Sequence, residues 1–438
     1  MILQALNDYY ERLRVDPEVE VSDFGFGMQG VHFCLPIDRD GNLVGDPIDL
    51  RQDGRALRIE VPGPVERTVG VVANFAWDNT GYVLGVDNKG KPERTQKTHE
   101  AFKDLAKEVL KNVDDEGARA LLAFLSHWTP ENAEALPGWE EMLGMNVVFR
   151  LDGNRQFLHQ RSDFRNAWLN HLASAGSEQK GKCLVTGKKN VPIPYTHSPI
   201  KGVPGAQSRG AALISFNFDS AISLGKKQNL NAPICEQAAF AYTTALNTLL
   251  ASGSRRKVQI GDTTVVFWTE VPVAAEEFFG LAVGGKEAED QKMAKEIEQY
   301  LRAVIKGQYP YELGEGNTAF YVLGLSPNVA RLSVRFWYVG TVGAMAENIG
   351  AHYKALNLKR SSENDPEYPR PWWLLKELAP QRDSRHIPPL LAGQFVRAIV
   401  YNQLYPRTLL TTAMGRIRTD KQINYLRACV IKSLSQYP

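Results

Sequence analysis

The feature of this sequence that most limits its fold is a pair of β-hairpin patterns in the second half of the chain. The segment KVQIGDTTVVFWTE, residues 257–270, places β-branched and aromatic residues around Gly261-Asp262. The segment TAFYVLGLSPNVARLSVRFWYVG, residues 318–340, has two similar runs on either side of SPN. Runs of this composition that are separated by a short turn are typical of antiparallel strands. We therefore predict an antiparallel sheet in this half of the chain.

Helical patterns surround these hairpins. Apolar residues recur at helical spacing in residues 1–20 and after Asn231, and from Pro388 onward the pattern is helical and basic. We therefore predict an α+β fold, with mixed, multi-layer N-terminal and central regions and a mainly helical, basic C-terminal region. Because the sequence stops within a helical pattern, we expect that last region to be truncated. The predicted regions are 1–175, N-terminal α+β; 176–260, basic Gly-rich loops with a core strand and a helix; 261–380, β-hairpin and helix; and 381–438, the start of the basic C-terminal helices.

Three local predictions concern the segments that later become functional candidates. The mainly apolar run AALISFN, residues 211–217, is predicted to form a buried strand. Asn231 is predicted to cap the helix that follows it, since Asn is favoured at helix N-caps. In ANFAWDNTGYVLG, the residues DNTG are predicted to form a turn between two strands, with Asp78 and Asn79 shaping that turn.

The net charge of +2 over 438 residues hides two basic segments. No Asp or Glu occurs between Glu178 and Asp219, where there are five Lys and one Arg. Residues 381–438 carry nine Arg and Lys against two Asp. Such a local excess is expected of a nucleic-acid-binding surface. A single basic segment is more often an ordinary solvated face, but the presence of two in one chain shifts the balance moderately toward nucleic acid.

Several classes of protein are not supported by the sequence. No apolar run approaches the roughly 20 residues that cross a bilayer, and the N-terminus lacks the pattern of a signal peptide. The four cysteines are far apart and form no CxxC motif, which favours a reducing compartment over a zinc or disulfide site. No P-loop, GxSxG, HExxH or kinase motif is present, and GFGMQG at 25–30 is not followed by a helical pattern. We therefore expect a cytoplasmic protein that is not an enzyme, with no cofactor and no metal.

A set of motifs occurs in order between Lys182 and Leu250. They are CLVTG, H-x-x-IKGVPGAQ-x-x-GA, LISFN, G-x-x-Q-x-x-NAP and a helical segment that ends in ALN-x-LL. Together with MILQALNDYYERL, WDNTGYVLG and PPLLAGQFVRAIVYNQLYPRTLL elsewhere, they give the chain a resemblance to the large subunit of the CRISPR type I-C Cascade complex, the Dvulg subtype. The resemblance covers essentially the whole chain. Members of that family continue into a further helical C-terminal region.

The resemblance implies a non-catalytic subunit of an RNA-guided DNA surveillance complex. Such a subunit recognises the PAM, a short motif beside the target, in duplex DNA, and it contacts the crRNA 5′ handle and the displaced strand. Its other partners would be the backbone, handle-capping and small subunits of Cascade and a recruited helicase–nuclease, with no membrane involved. Base pairing with the guide reads the long sequence, and the protein reads only the short motif and the backbone.

The candidate nucleic-acid-binding residues follow from their chemistry. Glycines let the backbone approach a ligand closely, Gln, Asn and Arg can bond base edges, and Lys acts as a point charge on phosphate. The candidates are Lys201, Gln207, Ser208 and Arg209 in the Gly-rich loop (residues 201–210); Lys226, Lys227, Gln228, Asn229 and Asn231; Asn74 and Asn79; Lys188 and Lys189; and Arg255, Arg256 and Lys257.

Two alternatives remain open from the sequence. The chain could be an RNA-processing or DNA-cleaving enzyme of the same antiviral defence system, with His197 and Lys201 performing metal-independent RNA cleavage. The basic region after Gln381 could begin a docking bundle, and we then expect it to matter more for assembly of the complex than for folding of residues 1–380.

Overall fold

The computed structural model describes residues 1–17, 19–64, 70–175, 179–284 and 291–435. The elements in the first 178 residues are α1 (Ile2–Arg14), β1 (Phe26–Val31), β2 (Phe33–Ile37), β3 (Ile48–Asp49), β4 (Leu57–Pro62), β5 (Trp77–Asn79), α2 (Thr80–Val83), α3 (Pro92–Leu110), α4 (Glu116–His127), α5 (Trp139–Met142), β6 (Asn146–Leu151) and α6 (Ser162–Ala175).

The remaining elements are β7 (Lys180–Gly181), β8 (Val191–Pro192), α7 (Glu236–Leu249), β9 (Lys257–Ile260), β10 (Thr263–Thr269), α8 (Ala275–Val283), α9 (Gln291–Ile305), β11 (Ala319–Asn328), β12 (Arg331–Thr341), α10 (Val342–Leu356), α11 (Pro371–Leu378), α12 (Pro389–Val400), α13 (Arg407–Asp420) and α14 (Tyr425–Ser435). Both halves of the chain combine small sheets with groups of consecutive helices, and the last five elements are all helices, so the α+β prediction is confirmed.

The chain forms two compact units. The smaller unit comprises residues 17–178 and contains a four-stranded sheet in the order β3-β2-β6-β5, in which β2 and β6 are parallel. Apolar side chains from this sheet pack with α3, α4 and α6, and Phe75 stacks on Trp168 with ring centroids 5.5 Å apart. A separate antiparallel pair, β1 with β4, completes the unit.

The larger unit comprises residues 1–16 and 179–438 and is built on an antiparallel sheet in the order β12-β11-β10-β9. This sheet confirms the two hairpins predicted from the sequence. On one face Trp268, Tyr321 and Trp337 stack on each other, and Tyr9 of α1 packs on Trp268 at 5.8 Å. The side chains of the main core pack with α8, α10 and α12. Helices therefore cover the sheet, and β10 is buried along its whole length.

The C-terminal basic helices belong to this core. Leu391, Phe395 and Val396 of α12 are buried with Leu409 of α13 and Cys429 of α14. They pack in the same apolar cluster as the sheet and α10. Residues 381–435 thus contribute to the fold as well as to the charge of the chain.

Two predicted elements and one predicted cap are wrong. The run AALISFN forms no strand, because only Ala211 and Ala212 find a backbone partner and each makes an isolated bridge. After β5, the residues predicted as the second strand of a hairpin form the short helix α2 instead. Asn231 does not cap α7, which begins five residues later with Cys235 at its N-cap. No helix in the described part of the chain is long and apolar enough to cross a membrane.

Burial of histidines makes the stability of the larger unit depend on pH. His352 is 2% exposed, and its Nδ1 lies 2.6 Å from the Tyr405 hydroxyl. Burial lowers its pKa from 6.5 to about 3. Below pH 6.5 the unfolded chain therefore binds a proton at this position that the folded chain does not bind, so that acid favours unfolding.

We expect His352 to account for a loss of about 2 kcal/mol in unfolding free energy between pH 6.5 and 5, at about 1.4 kcal/mol per pH unit. Urea unfolding at both pH values measures the loss, and His352→Gln should reduce the pH dependence by that amount. His386→Gln is the control, because His386 is exposed. An unchanged pH dependence in His352→Gln would contradict the assignment.

Candidate nucleic-acid interface

The Gly-rich loop is closed at its base and fixed to its surroundings by the backbone. Ile200 and Ala211 exchange two backbone hydrogen bonds of 2.9 Å, which close the loop. The backbone N–H of Lys201 donates to the Asn247 side chain of α7 at 2.8 Å. Ala212 then pairs with the turn between β11 and β12, since its N–H donates to the Ala330 carbonyl at 2.9 Å. The loop is thus attached to one helix and one hairpin.

The three glycines of the loop adopt left-handed backbone conformations, with φ of 86° at Gly202, 82° at Gly205 and 101° at Gly210. A Cβ on Gly202 would lie 2.5 Å from the Leu250 carbonyl oxygen, and one on Gly210 would lie 2.8 Å from Pro199. Only glycine fits such positions without strain. The glycines are therefore required for packing of the loop within this unit, whatever the loop binds.

The polar side chains of the loop point to solvent. Lys201, Gln207, Ser208 and Arg209 are exposed, and no described residue forms a hydrogen bond or ion pair with their side chains. A loop with a fixed backbone loses less conformational entropy on binding a ligand than a mobile loop would, and here the Gln and Arg side chains have no partner to give up. These four side chains are therefore available to a ligand.

The neighbouring hairpin turn adds a cluster that the sequence did not single out. Arg331 lies over the Phe218 ring at 4.7 Å and donates a hydrogen bond to the Asn217 side chain. Phe218 is 44% exposed although it is aromatic. No local sequence pattern predicts the contact between Arg331 and Phe218. The two residues are far apart in sequence, and the pairing of Ala212 with the hairpin brings them together.

Lys188 and Lys189 lie exposed at the end of a tight turn that we call the thiol turn, residues 183–189. The Cys183 sulfur accepts hydrogen bonds from the backbone N–H groups of Thr186 at 3.4 Å and Cys235 at 3.3 Å. Burial acts to raise the pKa of the Cys183 thiol, but these N–H donors outweigh it and lower the pKa to about 7. The hydrogen bond from the Cys235 N–H to the Cys183 sulfur thus attaches the thiol turn to the N-terminus of α7.

The segment 223–231 contains both exposed cations and buried amides. Lys226 and Lys227 are exposed after a tight turn at Leu224-Gly225, where both residues have positive φ. The Asn229 amide is buried and donates to the Pro194 carbonyl at 3.1 Å.

The other two amides of this segment are partly buried. Asn231 donates to the carbonyls of Lys226 and Gln228 at 3.1 Å each, and Gln228 begins the short 3₁₀ helix 228–231. In this conformation Asn229 and Asn231 shape the loop, and the two lysines face solvent.

Asn74 and Asn79 lie in the smaller unit, around the buried carboxylate of Asp78. The backbone N–H groups of Asn74 and Asn79 donate to Asp78 at 2.9 and 2.8 Å. Asn74 is itself buried, and the Asn79 side chain caps α2 by accepting from Gly81 N–H at 3.0 Å. The predicted turn between two strands is wrong, because β5 runs directly into α2, and Asp78 and Asn79 instead stabilise this strand–helix junction.

The three cations at 255–257 differ in their surroundings. The Arg256 Nε lies 2.5 Å from the buried Glu276 carboxylate, and Lys257 donates to the Leu250 carbonyl at 2.8 Å. Arg255 has an exposed side chain that pairs with Glu277 at 3.3 Å. Charge reversal across all three would therefore disturb packing as well as surface charge, and only Arg255 offers most of its side chain to solvent.

Helix α7 organises the candidates of the larger unit. Its N-cap, Cys235, holds the thiol turn, and Asn247 near its C-terminus holds the Gly-rich loop. At 1.5 Å per residue these two anchors are about 18 Å apart. The structure thus places Lys188 and Lys189 at one end of the helix and Arg209 with its neighbours at the other.

His197 lies under this surface and pairs with α7. Its Nδ1 is 2.7 Å from the Tyr242 hydroxyl, and burial lowers its pKa to about 4, so the ring is neutral at pH 7. None of the described residues donates to or accepts from its Nε2. Nor do the described residues contain a group of three His, Cys, Asp or Glu side chains that could hold a metal ion.

These features define a mixed α+β protein with a basic, loop-rich surface on one helix and one antiparallel sheet. Residues 6–437 match the family model described as CRISPR-associated protein (Cas_Csd1), and the chain belongs to this family. The expectation of a CRISPR-associated protein is confirmed, and the type I-C subtype stays a prediction. No match was found among curated proteins.

Proposed function

We propose that the chain is the large subunit of a type I-C Cascade complex and that the Gly-rich loop reads the PAM in duplex DNA. Membership of a CRISPR-associated family supports the system in which it acts. The observation that most supports this loop as the reader of the PAM is that its backbone is fixed while the side chains of Gln207, Ser208 and Arg209 are exposed and have no partner. Gln and Arg can each bond a base edge in two places, which distinguishes base pairs.

The exposed lysines have a different role in this proposal. Lys188, Lys189, Lys226 and Lys227 contact phosphates, which position DNA or the crRNA handle without reading sequence. Arg331 and Phe218 extend the same surface toward a displaced strand, because bases stack on exposed aromatic rings. The backbone, handle-capping and small subunits and the helicase–nuclease are the protein partners, in the cytoplasm.

The chain is not itself a nuclease in this proposal. His197 is neutral and packed against Tyr242, and a base with a pKa of about 4 is a poor proton acceptor at neutral pH. The alternative, an RNA-processing or DNA-cleaving enzyme, requires specific products from repeat RNA or duplex DNA. Products that disappear in His197→Ala would overturn the non-catalytic assignment.

Replacement of Gln207, Ser208 and Arg209 by Ala should reduce the preference for the correct PAM duplex by about tenfold or more, since each bidentate contact contributes about 1–3 kcal/mol. Replacement of Lys188 and Lys189 by Ala should weaken binding to correct and incorrect duplexes equally. Binding of matched targets that differ only in the PAM is measured at one salt concentration.

The lysine variant is the matched control, because both sets of residues are exposed and attached to α7. Folding of each variant is checked by circular dichroism. A folded triple variant that keeps the wild-type PAM preference would show that another loop reads the PAM.

A further inference from the structure

One polar side chain of α7 lies against the backbone at the base of the Gly-rich loop. The Oδ1 atom of Asn247 accepts a hydrogen bond from the Lys201 N–H at 2.8 Å, and its Nδ2 donates to the Pro199 carbonyl at 3.3 Å. The two contacts lie on either side of Ile200. The sequence did not indicate Asn247, because it lies within the helical segment that ends in ALN-x-LL.

These contacts complete the hydrogen bonding of an extended segment. The N–H and C=O groups of Ile200 both bond Ala211, across the loop, at 2.9 Å each. In extended backbone the groups of neighbouring residues point to opposite edges, so the Pro199 C=O and the Lys201 N–H point away from Ala211. The Asn247 amide has both a donor and an acceptor, and it bonds this second edge as a further strand would.

The bonds between Ile200 and Ala211 connect Asn247 to the residues proposed to read the PAM. Gln207 and Gly210 enclose a turn, in which the Gly210 N–H donates to the Gln207 carbonyl at 2.8 Å, and Ala211 follows directly. A displacement of Ile200 therefore moves Ala211 and the turn before it. Because hydrogen bonds to base edges need distances of about 2.7–3.2 Å, a shift of about 1 Å would remove them.

The last turn of α7 makes a second contact with the loop. Gly202 packs so closely on this turn that a Cβ would lie 2.5 Å from the Leu250 carbonyl oxygen. The same oxygen accepts a hydrogen bond from the Lys257 ammonium group at 2.8 Å. Packing at Gly202 and the amide of Asn247 thus hold the base of the loop on the helix. The amide contacts can be removed by a point substitution that leaves the sequence of the loop unchanged.

We propose that Asn247 is a positioning residue for PAM recognition. It fixes the backbone from which Gln207, Ser208 and Arg209 reach the base edges, and it does not itself contact DNA. This role rests on the proposed function of the Gly-rich loop, and it assigns part of the sequence preference to a helix outside that loop. Loss of the amide should therefore lower the preference for the correct PAM, while phosphate contacts of the exposed lysines are retained.

The test is binding of Asn247→Leu to matched duplexes that differ only in the PAM, at one salt concentration. Leucine is close to asparagine in size and has no donor or acceptor, so both contacts are lost. The PAM preference should fall about fivefold or more, and binding to the duplex with an incorrect PAM should stay within about twofold of wild type. Hydrogen exchange of the backbone amides in residues 199–211 should become about tenfold faster.

Thr248→Val is the matched control. Thr248 is half-buried like Asn247, and its hydroxyl donates within α7, to the Thr244 carbonyl at 3.0 Å. This variant should keep the PAM preference and the exchange rates. Asn247→Gln retains an amide on a longer side chain and should recover part of the preference. If Asn247→Leu does not fold, Asn247→Asp takes its place, since it keeps the acceptor for Lys201 and loses the donor for Pro199.

The alanine variant of Gln207, Ser208 and Arg209 is measured in parallel to separate the two proposals. If it keeps the wild-type PAM preference, the loop is not the reader and both proposals are wrong. If it loses the preference while Asn247→Leu keeps it, only the role of Asn247 is overturned. Equal weakening of binding to all duplexes by Asn247→Leu, or equal exchange rates in Asn247→Leu and Thr248→Val, would also overturn that role.

Discussion

A chain that ends at Pro380 is expected to lose the cooperative unfolding of its larger unit. The deletion removes Leu391, Phe395, Val396 and Ile399, which are all buried in the core that contains the sheet. Each such side chain contributes about 1.5–3 kcal/mol by burial. A whole domain is stable by only about 5–15 kcal/mol. The loss of these four alone is therefore comparable to the total stability of the unit.

The deletion also leaves a buried carboxylate without partners. Glu377 of α11 is 5% exposed and lies 3.2 Å from the Arg427 guanidinium, and it accepts a hydrogen bond of 2.6 Å from Asn424. A buried charge that loses its partner is strongly destabilising. The sequence suggested that residues 381–438 serve assembly more than folding of residues 1–380, and the packing of α12 to α14 leads us to expect the opposite.

Thermal unfolding followed by near-ultraviolet circular dichroism measures this effect. The full chain with Phe395→Ala is the graded control, because it should still unfold cooperatively, with a loss of about 3–5 kcal/mol. A truncated chain that unfolds at the same temperature as the full chain would contradict the assignment of these helices to the core.

Glu276→Ala should destabilise the larger unit by about 3–5 kcal/mol. Glu276 accepts from Arg12 at 2.6 Å, from Arg256 at 2.5 Å and from the N–H of Thr269 at 2.9 Å. Burial acts to raise the pKa of Glu276, but Arg12 and Arg256 outweigh it and hold the pKa below its ordinary value. Removal of the carboxylate leaves two arginines, one of them almost fully buried, without their counter-ion.

The adjacent residue provides a matched control. Glu277 pairs with Arg255 on the surface, where the side chains are 39% and 67% exposed, and such pairs contribute about 0–1 kcal/mol. Chemical denaturation of Glu276→Ala, Glu276→Gln and Glu277→Gln gives the comparison. Equal stabilities of Glu276→Ala and Glu277→Gln would show that the network does not stabilise the fold.

The candidate site was predictable in part because some of its determinants are local. The exposed lysines at 188–189 and 226–227 follow from a polar, glycine-containing sequence that cannot be buried, and the structure exposes all four. The amides were harder to interpret. In the sequence, Asn229 looks like an amide that could read a base, because it follows glycine and lysine in a polar segment. In the structure it is buried, and its amide donates a hydrogen bond to the Pro194 carbonyl. Its partner lies 35 residues away, and no local pattern identifies it.

The sequence by itself determined the two hairpins, the class of fold and the family. Hairpins depend on alternation and on a turn between neighbouring residues, and β9 with β10 and β11 with β12 formed as the pattern predicts. The tertiary structure alone decided which polar groups are available to a ligand. AALISFN is apolar enough for a strand, but a strand needs a partner along its length, and only Ala211 and Ala212 found one.

The three cations at 255–257 also show the difference between what the sequence determines and what the tertiary structure decides. Arg255, Arg256 and Lys257 are equivalent in sequence, but the packing of α1 and α8 places Glu276 beside Arg256 and leaves Arg255 near the surface. The glycines of the Gly-rich loop likewise suggested close approach to a ligand, and the structure places the Leu250 carbonyl and Pro199 against two of them. Burial and pairing join residues that are distant in the chain, so the sequence gives the type of each group and only the fold gives its neighbours.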